Sequence, residues 1–365
     1  MKTLRFGSNS GLPFTKALRK NVNAYFKQKG ISTKDNGTMR NKMIAMAAMY
    51  IIPYLILVLL PINAWLGIPL VLLMGLGMAG MGMSVMHDAN HGSFSNKQSI
   101  NTLLGSSIYI LGGNVFTWKV QHNVLHHTFT NIEEYDEDIR YRVIIRLSPN
   151  SPLLRIHRYQ YIYAFLVYSL TTLSMLSRDL NQMIKYQKMG MFEQQNTTAF
   201  KEYTKLFISK SIYLFLTIGV PLLFTSFTWW QVLTGFAIMH LFTGWILSTV
   251  FQMAHLVEGT TQPIPDSDGN IENEWTLHQL YTTSNFARNN KLLGWYIGGL
   301  NYQIEHHLFP NICHVHYPEI SKIVEETAIE FGHPYNVKRS LTDALSSHIQ
   351  VLKALGRKGP YGQIA

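Results

Sequence analysis

A single cysteine, Cys313, stands among 365 residues, which excludes an internal disulfide and any metal cluster built on thiolates. Charge is scarce as well. Asp, Glu, Lys and Arg make up 14% of the chain, where soluble domains carry about 25%. The shortage is concentrated: no charged residue occurs in the 45 positions from Met43 to His87, nor in the 47 from Ser211 to Val257. One transmembrane helix needs about 20 apolar residues, so each run has room for two spans and a tight turn. Pro61-Ile62-Asn63-Ala64-Trp65 divides the first run and Ser226-Phe227-Thr228-Trp229-Trp230 the second, and Trp favours membrane–water boundaries. The pattern predicts an all-α integral membrane protein of about four transmembrane helices in two hairpins, near residues 43–61, 64–86, 211–227 and 231–252.

No secretory signal precedes the first apolar run; residues 1–42 are polar and basic. They carry Lys2, Arg5, Lys16, Arg19, Lys20, Lys27, Lys29, Lys34, Arg40 and Lys42 against Asp35 alone, and the two short turns carry no charge. The positive-inside rule then puts the N-terminus in the cytoplasm and both turns outside. Net charge is +10, which fits contact with anionic lipid; no DNA- or RNA-binding motif accompanies it, so no nucleic-acid partner is expected. Phe6, Leu12, Phe14, Leu18, Val22 and Phe26 lie among the basic residues of this arm and suggest a helix on the membrane surface. The Gly- and Met-rich stretch from Met74 to Met83 reads as close helix packing in lipid, with no methionine metal site required.

Fifteen histidines are present, and seven fall in three clusters: His87-Asp88-Ala89-Asn90-His91, His122-Asn123-Val124-Leu125-His126-His127, and Gln303-Ile304-Glu305-His306-His307. Residues three or four apart share a helix face, and neutral imidazole binds iron, zinc, copper or nickel. One such pair is weak evidence; three clusters beside apolar segments point to one polynuclear metal site. The site can be built only if all three clusters lie on one side of the membrane. Residues 99–116 and 161–177 are therefore expected to be re-entrant or interfacial, and 178–206 to be a cytoplasmic helical segment. His255 ends the fourth span at the depth of His87 and is an eighth candidate ligand. His240, at mid-span, reads as neutral and hydrogen-bonded within the bundle. His157, His333 and His348 read as surface residues, and His278, His314 and His316 as neighbours of the third cluster. Asp88 and Asn90 are placed to orient imidazoles. The acidic run Glu133, Glu134, Asp136, Glu137, Asp138 reads mainly as a solvated loop, with one or two carboxylates, Asp138 foremost, bonding a ligand histidine.

Over about residues 43–320 the arrangement resembles the membrane-bound fatty acid desaturases, among the histidine-box di-iron oxygenases. HDANH, HNVLHH and QIEHH match the three boxes in turn. Gln303, where other branches carry histidine, resembles the front-end branch and joins Asp88 and Asp138 as a candidate supporting residue; Trp275-Thr276-Leu277-His278-Gln279 and Thr282-Thr283-Ser284-Asn285 resemble that branch as well. The resemblance implies that His87, His91, His122, His126, His127, His255, His306 and His307 hold two iron ions (Fe2+/Fe3+). It further implies O2-dependent insertion of a cis double bond into a fatty acyl chain carried as CoA thioester or lipid, of the Δ5/Δ6 or linoleoyl-CoA type. No His-Pro-Gly-Gly haem motif occurs, so a separate electron donor, a ferredoxin or cytochrome b5-like protein, is expected. A bacterial inner membrane is the expected location, with the active site cytoplasmic. In this scheme a basic arm (1–42) precedes the membrane desaturase domain (43–320), and a cytoplasmic tail (321–365) follows it.

Two rivals share some of these features. A di-iron hydroxylase of lipid, alkane or carotenoid uses the same boxes, and its product would carry a hydroxyl group. A membrane metal transporter would place its ligands near mid-membrane on discontinuous helices, whereas here they gather at one face.

Overall fold

The computed structural model describes residues 4–7, 11–34, 37–140 and 142–357; Lys2 and Asp35 of the basic arm, and the end of the C-terminal segment from 358, lie outside these. Four helices are long and apolar enough to cross a membrane: Thr38–Leu59, Ala64–Asn90, Ala199–Phe224 and Trp229–His255. The protein is an all-α membrane protein with four candidate spans, as the charge-free runs predict. Three of the helices start or end further into the flanking polar sequence than expected. Arg40 and Lys42 sit in the first turns of the first span; Arg40 is exposed, as a long basic side chain reaching the interface is, whereas Lys42 is buried. The chain divides into two units, one of residues 37–120 and 165–249 and one of 1–36, 121–164 and 250–365.

In the unit of residues 37–120 and 165–249, the first two spans form a hairpin whose turn is capped by Asn63, its Oδ1 accepting from Leu66 N at 3.0 Å. Gly77 lets the two helices touch: a Cβ there would come within 2.6 Å of Tyr50 N. Met74, Met78, Met86 and Met239 fill the core beside Ile108 and Leu111, so the methionines pack, as the sequence suggests. Trp65 at the first turn is 81% exposed and Trp229 at the second 68%, as aromatic residues at a lipid boundary are. Residues 98–119 form short segments, Gln98–Gly105, Ser106–Leu111 and Val115–Lys119. Residues 160–188 break at Leu170 into two helices. Neither stretch is among the four candidate spans.

The other unit is built around short helices. Leu12–Lys29 buries Phe14, Leu18, Val22 and Phe26 against Tyr302, Ile304, Leu308, Ile320 and Val324. This corrects the expectation of a membrane-surface helix: an amphipathic stripe has the same period whether lipid or protein covers it. Residues beyond 320 pack into the same unit, with Ile320, Val324 and Ala328 of Tyr317–Glu330 and Ala344, Val351, Leu352 and Leu355 of Leu341–Leu355 all buried. Two short parallel strand pairs, Arg5–Phe6 with Asn270–Ile271 and Asn285–Phe286 with Val337–Lys338, tie distant segments together.

Candidate metal centre

Six of the predicted histidines meet in the unit that holds the second and third boxes. His122 and His126 lie on Val120–His126, a helix wound with the wider π turn, and His127 opens the turn that follows. His255 ends the fourth span, and His306 and His307 lie on Gln303–Leu308. A π turn shifts side chains relative to an α-helix and is common at functional sites. His127 and His306 are 179 residues apart in sequence, yet their Nε2 atoms lie 3.0 Å apart; His122 Nε2 is 3.3 Å from His127 Nε2. Ring nitrogens of His126, His255 and His307 lie within 4.8 Å of one another, and so do those of His127, His306 and His307. Two overlapping groups suit more than one ion. All six rings are at most 8% exposed.

The backs of these rings are anchored. His126 Nδ1 donates to Asp136 Oδ2 at 3.0 Å, and Asp136 is itself fixed by Asn131 N and Asp138 N, at 2.9 and 3.0 Å. His307 Nδ1 donates to Gln279 Oε1 at 2.8 Å, and Gln279 Nε2 donates to the His127 carbonyl at 3.1 Å. A bond at Nδ1 fixes the tautomer and leaves Nε2 with its lone pair. His126 Nε2 and His307 Nε2 are buried without a hydrogen-bond partner. Such an atom costs about 1–3 kcal/mol, and a metal ion would satisfy both. An all-imidazole set with orphaned nitrogens turned inward therefore fits a transition metal.

Electrostatics follow the same plan. Burial alone would lower His126, but Asp136 and Asp138 outweigh it and raise its pKa. His307 is held well below its ordinary value by burial and by the neighbouring rings. Burial pushes the Glu305 carboxyl up to about 7, against the hydrogen bonds from Asn285 Nδ2 (2.8 Å) and Tyr335 Oη (2.9 Å). Those bonds pin the third-box helix, because Asn285 Oδ1 also accepts from Ile304 N at 3.0 Å.

In the other unit, His87 lies in the last turns of the second span and His91 caps it, with ring centroids 4.7 Å apart. The Trp118 ring stands 5.9 and 6.0 Å from them. Asp88 Oδ1 is 3.7 Å from His87 Nδ1. Asn90 Nδ2 donates to the Gly105 carbonyl at 3.1 Å.

Of the supporting residues, Gln303 Nε2 reaches His255 Nε2 at 2.9 Å. Asp138 lies at 3.6 Å from His126 Nδ1 and is engaged instead by Gln121 Nε2 at 2.6 Å; Asp136 makes the close bond. His240 is bonded on both sides, to Tyr213 Oη at 2.6 Å and Thr172 Oγ1 at 3.0 Å, as expected of a neutral mid-span histidine. His157 and His348 are fully buried, a correction to the surface reading. Each has ring partners that make burial tolerable: His157 bonds Leu154 N and the Val143 carbonyl, and His348 the Leu256 carbonyl. His333 is part-exposed. His278 donates to the Thr130 carbonyl at 2.9 Å and His316 to that of Lys34 at 3.0 Å. Gln279 was marked in the sequence only as part of a segment resembling the front-end branch, and Asn131 not at all. Asn131 has a left-handed backbone (φ 60°), and its Nδ2 bonds the carbonyls of His255, Thr261 and Thr282.

Comparison with known proteins agrees with this geometry. A family model described as fatty acid desaturase matches residues 63–339. The chain is 34% identical to the sn-1 linoleoyl-lipid 6-desaturase of Arthrospira platensis, over 96% of this chain and 94% of that protein. It is 32% identical to the sn-1 linoleoyl-lipid 6-desaturase of a Synechocystis strain, over 94% and 96%. Identity to the acyl-lipid (8-3)-desaturase of Physcomitrium patens is 32%, over 97% of this chain and 74% of that protein.

Proposed function

The chain belongs to the fatty acid desaturase family, and from that premise we propose that it inserts a cis double bond near the carboxyl end of an acyl chain carried on a membrane lipid. It is an oxidoreductase, metal-dependent and membrane-embedded, that acts on fatty acyl or lipid substrates. The proposed ligands are His87, His91, His122, His126, His127, His255, His306 and His307, and the proposed metal is a pair of iron ions. The observation that carries this reading is the cluster of six buried imidazoles, two with orphaned inward nitrogens, in a chain matching the family over most of its length. The two bacterial relatives, both sn-1 linoleoyl-lipid 6-desaturases, favour an acyl-lipid substrate.

When bound, the iron pair supplies O2 activation: O2, two electrons and two protons combine with two hydrogens from adjacent methylenes to give the alkene and two waters. The protein's part is orientation and exclusion. Asp136 and Gln279 hold His126 and His307 with Nε2 turned inward. Gln303 stands beside His255 Nε2, and Phe251 covers His126 and His255 at ring distances of 5.0 and 4.8 Å. Glu305, anchored by Asn285 and Tyr335, keeps the helix of His306 and His307 in place. A separate ferredoxin or cytochrome b5-like protein delivers the electrons. The N-terminus and active site face the cytoplasm of a bacterial inner membrane.

Expression in a bacterial host fed saturated and polyunsaturated acids, beside a His306→Ala variant, tests the reading. A new double bond made by the parent and lost in the variant is expected, and its position gives the regiochemistry. A hydroxylated product, or none despite bound iron and a competent donor, would overturn it.

A further inference from the structure

We propose that an open groove in the unit carrying His87 and His91 seats one acyl chain of an intact anionic membrane lipid, with Lys119 and Lys205 reading its headgroup. This rests on the acyl-lipid reading above. The groove encloses about 860 Å³, within the usual range for a ligand site, about 300–1,000 Å³. Its wall follows one face of the third span, where Thr204, Ile208, Ile212 and Leu216 recur every fourth residue. From Thr204 to Thr217 the helix rises about 20 Å, longer than the hydrocarbon of one leaflet, about 15 Å. Ile208, Ile212 and Leu216 are 55%, 54% and 46% exposed. The groove is thus open sideways, where lipid tails are, and an occupant arrives through the bilayer.

One end of the groove is cationic. Lys205 Nζ pairs with Glu202 at 2.9 Å, and the same carboxylate accepts from Thr197 Oγ1 at 2.7 Å. Lys119 makes no ion pair or hydrogen bond among the described residues. Burial, and then the charge of Lys205, lower its pKa. Glu202 matches the charge of Lys205 while Lys119 has no carboxylate of its own among the described residues, and the surplus positive charge complements a phosphate or sulfate at a lipid headgroup.

The groove reaches one residue of the first histidine box. Asn90, next to His91, lines it together with Val115, Phe116 and Lys119. At the other end, Tyr54 Oη donates to the Leu216 carbonyl at 2.7 Å, and Tyr213 is fixed by His240. A chain anchored by its headgroup at the lysines lays its carboxyl-proximal methylenes nearest His87 and His91, with its methyl end toward Tyr54.

The test uses full-length protein in mild detergent, with palmitoyl-linoleoyl phosphatidylglycerol, the phosphatidylcholine of the same chains, and linoleoyl-CoA as probes; retained ligand is read by native mass spectrometry. The parent should prefer phosphatidylglycerol over phosphatidylcholine about tenfold, the equivalent of one charge-assisted contact. Lys119→Ala with Lys205→Ala should abolish that preference. Ile212→Trp or Ser209→Phe should lower retention of both lipids. Leu223→Trp, on the same span but outside the groove and 67% exposed, should not. Equal retention of the two lipids by the parent, tighter binding of linoleoyl-CoA, or unchanged retention in both plugged variants at parental metal content overturns the proposal. Product analysis of the parent separates the two levels: no double bond at all sinks the desaturase reading, whereas desaturation with any of those binding results sinks only the groove.

Discussion

Replacing Asp136 gives the most discriminating test of the metal centre. Its Oδ2 accepts from His126 Nδ1 at 3.0 Å, and the carboxylate also takes two backbone N–H groups, from Asn131 and Asp138. Asp136→Asn keeps the shape and removes the charge. A hydrogen bond to a charged group is worth about 1.5–3 kcal/mol, which corresponds to roughly 10–100-fold in affinity. Loss of a carboxylate behind a ligand histidine typically costs the same about 10–100-fold in metal affinity or activity. The assay is bound metal measured by elemental analysis across a chelator titration, with desaturated product quantified in parallel. Asp138→Asn is the control, since its carboxylate stands 3.6 Å from the ring and is already taken by Gln121; it should cost much less. Asp136→Ala should do more than Asp136→Asn, because it strands three buried donors at about 1–3 kcal/mol each. Parental metal affinity in Asp136→Asn, or a larger loss in Asp138→Asn, would refute the assignment of Asp136 as the residue that orients His126.

Other outcomes follow from the same contacts. Gln279→Ala should lower metal affinity about 10–100-fold, seen in the same chelator titration, because His307 Nδ1 loses its acceptor. Burial holds His348 at about 4 against an ordinary 6.5, so the unfolded chain takes up a proton there that the folded chain refuses. The stability this residue contributes is full above pH 6.5 and falls by about 3 kcal/mol as pH drops through 4. Thermal melts in detergent between pH 7.5 and 4 should show the loss, and His348→Gln should reduce its slope. Gly77→Ala should destabilise the protein by about 1–3 kcal/mol, since the added Cβ would meet the backbone at Tyr50; a melting temperature equal to the parent's would contradict that close approach.

The boxes and the four spans were legible because both are local: the histidines recur on a helical period, and the spans lack charge over long runs. What supports them was not. Asp136 and Asp138 stand two residues apart in one acidic run, and only the turn after the second box, with Asn131 in a left-handed conformation, decides which one faces His126. The stripe Phe14, Leu18, Val22, Phe26 announces an amphipathic helix but not its cover, which comes from residues some 300 positions later. His157 and His348 looked exposed because isolated histidines in polar sequence usually are; carbonyl partners from Val143 and Leu256 make their burial tolerable. Gln279 falls in a segment that resembles the front-end branch, but its role was not legible there, since one amide bonding both His307 and the His127 carbonyl is a fact of three-dimensional placement.

The 179 residues between His127 and His306 also set a clock on synthesis. At about 5–20 residues per second, the second box waits roughly ten to forty seconds for the third to leave the ribosome. Asn131 waits for Thr282, and the helix Leu12–Lys29 waits longer still for Val324. During that interval His126 has Asp136 behind it, but neither His255 nor the third box is yet there to share a centre with it. Metal loading is therefore a late event in the life of the chain, and a nascent protein stopped short of residue 303 carries two boxes but no assembled centre.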